Sequence, residues 1–166
     1  MAKKADFTTE EWETLRDAPL LVTLSVATAG SSGPIGSLKE AFAPVHAMVE
    51  AAKGNNELLR NVCDRAELKA AQQSIHSSVK ATDMKSLRET LQTMAADKAS
   101  KAVATLKRKG AAGDLDAYRS FLVDLADRTA KAAKEGSFLG FGGERVSEGE
   151  RAVIARISQA LDVQSS

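Results

Sequence analysis

Cysteine is almost missing from this chain: of 166 residues only Cys63 is one, so no disulfide can form within it. A framework of bridges is excluded, and stability has to come from a packed core. Aromatic residues are scarce as well, at 4%, while hydrophobic residues reach 43%, so the core must be assembled from Leu, Val, Ile and much Ala. Small side chains let helices approach closely. An excess of one charge sign is lacking: 23 basic residues stand against 22 acidic ones, a net +1, spread along the chain. No field of that kind attracts nucleic acid. A long apolar run is lacking too, since the longest, Ala18 to Ala29, is about half of the ~20 residues that a membrane-spanning helix needs. It reads as a buried core helix, and no membrane span is expected. Met1-Ala2-Lys3-Lys4 opens like a secretory n-region, but Asp6, Glu10, Glu11 and Glu13 stand where an apolar h-region would be. No signal peptide is read, and a cytoplasmic location is expected, with which a lone thiol agrees.

No segment shows the two-residue alternation of a half-buried strand. The chain reads as all-α: a single-domain bundle over residues 1–166 with about six to nine helices, 1–7 disordered and 162–166 a frayed tail.

Helix signals are plentiful. Phe7 at N′, Thr8 at N-cap, Glu11 at N3 and Trp12 at N4 combine a capping box with a hydrophobic staple, opening a helix that ends near Asp17. Pro19 suits the first turn of a second helix, apolar on every side from Leu20 to Ala29 and stopped by Gly30. Ser31 to Gly36 is a loop, Ser37 with Glu40 opens a third helix, and Pro44 either kinks that helix or marks its true first turn. Gly54-Asn55-Asn56 closes it, and Glu57 opens the next. There Leu59, Val62, Cys63 and Ala66 share one face while Leu68, Ile75 and Val79 share another, so the Asp64-x-x-Glu67 box marks a break or bend. Thr82-Asp83 caps a stretch whose stripe runs Met84, Leu87, Leu91, Met94 and then shifts to Ala99, Val103, Leu106: one bent helix or two. Gly110 and Gly113 bracket a loop before Asp114. From there Leu115, Tyr118, Leu122, Leu125, Thr129 and Ala133 face inward until Gly136. Ser147 starts the last helix, with Val153, Ile154, Ile157 and Leu161 toward the core.

The beginning is echoed near the end. Leu20 to Ala29 resembles Phe121 to Ala130, and each is followed by a Gly-rich loop and a helix-start box, Ser37-x-x-Glu40 and Ser147-x-x-Glu150. This reads as a duplicated helix-loop-helix unit related by a pseudo-twofold axis, its two long helices in direct contact.

Residues able to carry chemistry are few. Four glycines from Gly136 to Gly143 surround Phe138, Leu139 and Phe141, without the strand, helix or Gly-Lys-Ser/Thr of a phosphate-binding loop. Those three side chains either fold back between the first core helix and the last one, or stay exposed; they are the candidate partner or ligand site. His46 and Glu50, spaced i,i+4, are weak metal candidates, but spacing identifies no third or fourth ligand, and a solvated pair explains them better. His76 reads as a partly buried spacer, Cys63 as a packing thiol, and Asp124 and Asp127 as outer-face partners of Arg128 and Lys131. Lys107-Arg108-Lys109 fits a last helical turn, where cations meet the negative end of the dipole. No catalytic constellation and no cofactor site is read.

Gly33-Pro34-Ile35-Gly36-x-Leu38-Lys39-Glu40, and Gly136 to Glu150 with its Ser147-x-x-Glu150, resemble a group of uncharacterised bacterial helical proteins. More remotely, the helix, Gly-containing loop and Ser-x-x-Glu helix, repeated, are similar to the tellurite-resistance TerB-like family. That resemblance implies an all-helical fold associated with metal and stress responses. The family's loop carries an acidic Asp-Gly sequence, and Ala29-Gly30-Ser31-Ser32-Gly33 stands in its place without a carboxylate. The function expected is a non-enzymatic, cytoplasmic interaction or scaffold module in a stress setting, with a protein partner or a second copy of itself. The alternative is a metal-ion or small-ligand binding protein of the TerB-like type, with a cleft between the repeated halves.

Overall fold

The computed structural model describes residues 1–30, 43–110, 112–136 and 147–162. Among them the chain is all-α and forms one bundle: a 3-10 turn at Lys4–Asp6 precedes α1 (Thr9–Ala29), α2 (Ala43–Lys53), α3 (Glu57–Val62), α4 (Arg65–Ser78), α5 (Met84–Lys109), α6 (Ala112–Gly136) and α7 (Glu148–Ala160). Seven α-helices fall within the range that the sequence implies. The helix at the centre is α1. It lies along α5 as its chief neighbour and also packs on α4, α6 and α7, while α2 sits to one side against α3 and α6.

The start of α1 follows its sequence signals closely. Thr8 accepts from the Glu11 N–H at 3.2 Å, the Glu11 carboxylate accepts from the Thr8 N–H at 2.9 Å, and the Phe7 and Trp12 rings lie 6.1 Å apart. Two helices were expected between Thr8 and Ala29, with Pro19 in the first turn of the second; instead α1 is continuous, with Pro19 inside it. An interior proline removes one i→i−4 donor, here the one that would reach the Leu15 carbonyl. The Tyr118 hydroxyl, from α6, donates to that carbonyl at 2.8 Å, so no acceptor is orphaned and the helix can run on.

Other junctions show what sequence spacing left open. Pro44 falls in the first turn of α2. The stretch from Met84 is one 26-residue helix, with the Asp83 carboxylate accepting from the Ser86 N–H at 2.8 Å as its cap. Asn56 caps α3 through the Leu59 N–H, and Asp64 caps α4 through the Ala66 N–H. Glu67 does not close a box there; it reaches Trp12 and Lys4 instead. The loop expected between Gly110 and Gly113 is shorter, because α6 already begins at Ala112. Gly110 allows that tight turn, since a Cβ there would strike the Leu106 carbonyl oxygen. The Ser147–Glu150 box opens α7 as expected, with both of its hydrogen bonds formed. Ser37, Glu40 and the side chain of Ala133 lie outside the described residues.

The first seven residues make contacts with the bundle. Ala2 and Phe7 are buried, Lys4 pairs with Glu67 and lies over the Trp12 ring, and Lys109 Nζ donates to the Asp6 carbonyl oxygen at 3.3 Å. The apolar surface of Ala2 and Phe7 and the hydrogen bonds of their neighbours offset the cost of ordering the segment. Of the tail, only Asp162 is described, and Lys107 Nζ holds it at 2.5 Å; 163–166 lie outside the description.

Candidate functional site

Two groups of charged side chains stand out, one inside the bundle and one on its surface. The inner group surrounds the proline of α1. Asp17 is 2% exposed; its Oδ1 accepts from Arg16 Nε at 2.8 Å, and its Oδ2 accepts from Ser74 Oγ of α4 at 2.9 Å, with Lys98 Nζ of α5 at 3.9 Å. A carboxylate out of water needs such partners, and here three elements supply them. Tyr118 lies close by, wholly buried. Burial keeps its phenol protonated far above the ordinary range, and Cys63 and Asp17 push in the same direction. Burial also pushes the Cys63 thiol up to about 12, so it remains a neutral packing group, far from the thiolate that nucleophilic chemistry needs. The arrangement pins α1 to α4, α5 and α6; its donors and acceptors point at one another.

The outer group is a chain of ion pairs linking α2 to α6. His46 Nδ1 lies 3.5 Å from Glu50 Oε1, Arg128 Nη1 donates to Glu50 Oε2 at 3.4 Å, and Arg128 Nε meets Asp124 Oδ2 at 2.8 Å. The hydrogen bond that Arg128 donates to Asp124, and then the neighbouring Glu50, raise its guanidinium above the ordinary value. His46 and Glu50 are exposed side chains, as a solvated pair would be, and Arg128 ties Glu50 to α6. Beside them Val49 is 39% exposed; among the described residues only Met1 also leaves a large apolar side chain this open. Sequence spacing found the pairs within each helix. Glu50 to Arg128 was out of its reach, because the two are 78 residues apart.

Phe138, Leu139 and Phe141 lie outside the described residues. No group of three or more His, Cys, Asp or Glu able to hold a metal occurs among the described residues. His76 is exposed on α4, where partial burial was expected. The basic run at the end of α5 is consumed by partners on other elements: Lys107 by Asp162, and Arg108 and Lys109 by Glu11. Also among the described residues, no helix is long and apolar enough to cross a membrane. No protein-family model, curated protein or solved structure matches the chain.

Proposed function

We propose that this chain is a non-enzymatic helical interaction module that binds a protein partner through the outer face of α2 and the adjoining edge of α6. One observation carries the reading: exposed Val49 is bordered by the His46–Glu50–Arg128–Asp124 chain, an apolar contact with a polar rim holding both charge signs. Interfaces have that composition, and Arg is among the residues that contribute most to them. The interior charges support it from the other side, since Asp17 and its partners hold helices together.

The test is a pair of substitutions, Val49→Asp and Arg128→Glu, in one chain. Proteins that co-purify with the unaltered chain from its own cells, or self-association seen by sedimentation, should be lost while the chain stays folded, its thermal midpoint lower by no more than a few degrees because Arg128→Glu also breaks the exposed pairs with Glu50 and Asp124. Retained association sinks the reading. Calorimetric titration with zinc, calcium and manganese should show nothing tighter than roughly micromolar. A stoichiometric nanomolar site would instead favour the metal-binding alternative of the TerB-like kind.

A further inference from the structure

Arg119, on α6, leaves most of its hydrogen-bonding capacity unspent. Its side chain is 19% exposed, its Nε is buried with no partner among the described residues, and its Nη2 lies 4.0 Å from Asp162 Oδ2, beyond hydrogen-bonding reach. Nε and Nη2 form one edge of the planar fork, an edge that suits two parallel bonds to a carboxylate or a phosphate. Among the described residues it makes neither bond. On α5, Lys107 Nζ meets the same Oδ2 at 2.5 Å, and no other described carboxylate pairs with either cation. Two positive charges thus face one negative charge. Asp162 is itself held loosely: its side chain is 66% exposed, and at the turn that ends α7 its backbone takes φ 58°, where glycine is the usual occupant. The Lys107 hydrogen bond is that side chain's one short contact, and it keeps the carboxyl below its ordinary range and so ionised.

We propose that Lys107 and Arg119 form a binding site for a phosphate group, as inorganic phosphate or as a small phosphate monoester, and that Asp162 occupies it as an exchangeable stand-in. The position of Asp162 Oδ2 shows where an anionic oxygen meets both cations. A buried donor without an acceptor and a surplus positive charge have one remedy in common, an oxyanion of higher charge than a carboxylate. A phosphate monoester carries about −1.5 to −2 at pH 7 with three acceptor oxygens, so it balances both cations where the carboxylate balances one. One oxygen takes the place of Oδ2 on Lys107, and another serves the unspent edge of Arg119. Two anions repel each other at such a distance, so phosphate enters as the Asp162 side chain turns out into solvent, which its exposure permits. The α2 face takes no part in this site.

Inorganic phosphate and glycerol phosphate are titrated into the protein by calorimetry, in chloride buffer at fixed ionic strength, with acetate as the carboxylate control. One phosphate group per chain should bind, tighter than about a millimolar, and acetate should bind at least about tenfold more weakly. Stronger binding of the ester identifies a small molecule carrying the group as the ligand, and equal binding identifies phosphate itself. Asp162→Asn should tighten binding by at least about threefold, because a competitor lowers the apparent affinity by the fraction of time it fills the site. Asn tolerates the left-handed backbone, so this variant keeps the turn. Lys107→Gln should weaken phosphate at least about tenfold, and Arg119→Lys, which keeps the charge and loses the fork, should weaken it too. Asp162 and Lys107 are exposed, so the test stands even where the Arg119 change disturbs packing. No saturable phosphate binding, acetate equal to phosphate, or an affinity unchanged by Asp162→Asn would overturn the proposal.

Discussion

At Pro19 the central helix forgoes the N–H that would reach the Leu15 carbonyl, and the buried Tyr118 hydroxyl occupies that acceptor at 2.8 Å. Tyr118→Phe keeps the ring and removes only the donor, which leaves a buried carbonyl unpaired at a cost of about 1–3 kcal/mol. For a chain of this size the thermal midpoint should fall by roughly 2–4 °C per kcal/mol. Pro19→Ala restores the backbone donor, so combined with Tyr118→Phe it should recover much of the loss. Simple additivity of the two changes in denaturant unfolding would show that the residues do not act on the same carbonyl. The sequence marks Pro19 as a helix boundary, a sound local reading, and nothing near it in the chain signals a phenol arriving from 103 residues away.

Helix caps were the most legible elements. Thr8 with Glu11, Asn56, Asp83 and Ser147 with Glu150 act where their spacing places them, because a cap is settled within four residues. Glu11 shows where that reading stops. Besides closing its box it accepts from Lys109 Nζ at 2.6 Å and from Arg108 at 3.2 Å. The Lys109 hydrogen bond first, and then that of the Thr8 N–H, bring its carboxyl down from 4.5 to about 2. A depressed folded value contributes stability above the unfolded value, and that contribution is lost as pH falls through the folded one. The Glu11 share should therefore be full above about pH 4.5 and fade toward about pH 2, by a modest amount because its pairs with Arg108 and Lys109 lie at the surface and are screened by salt. In unfolding midpoints followed across that range, Glu11→Gln should flatten the acid limb. An unchanged pH dependence in the variant would show that Glu11 contributes nothing to it.

The whole molecule turns on how closely its helices approach α1. The α5 helix points Ala95, Ala99 and Ala102 into the core, all fully buried, and α1 is its chief neighbour. With small residues at the contact, Ala99→Leu should overpack it at a cost of about 1–3 kcal/mol, read as a lower denaturant midpoint with an unchanged slope. A neutral result would mean that the two helices have room between them. Ala27, on the half of α1 that carries the sequence echo, is a poorer probe because it is only partly buried. The echoed helices α1 and α6 do touch, and α6 presents the inward stripe of Tyr118, Leu122, Leu125 and Thr129 that its spacing implies.

Periodicity and composition were enough to read the helical class, the central place of Leu20 to Ala29, the caps and the Ala-rich core, because each depends on neighbours along the chain or on bulk burial. The continuity of α1 through Pro19, the docking of residues 1–7, the diversion of Glu67 to Trp12 and the joining of Glu50 to Arg128 depend on partners from distant segments. Local spacing carries no information about which distant donor will reach an acceptor once the helices have packed. Asp17 shows this most sharply: read along the sequence it is the last residue before a helix end, and in the bundle it is a buried carboxylate shared by α1, α4 and α5.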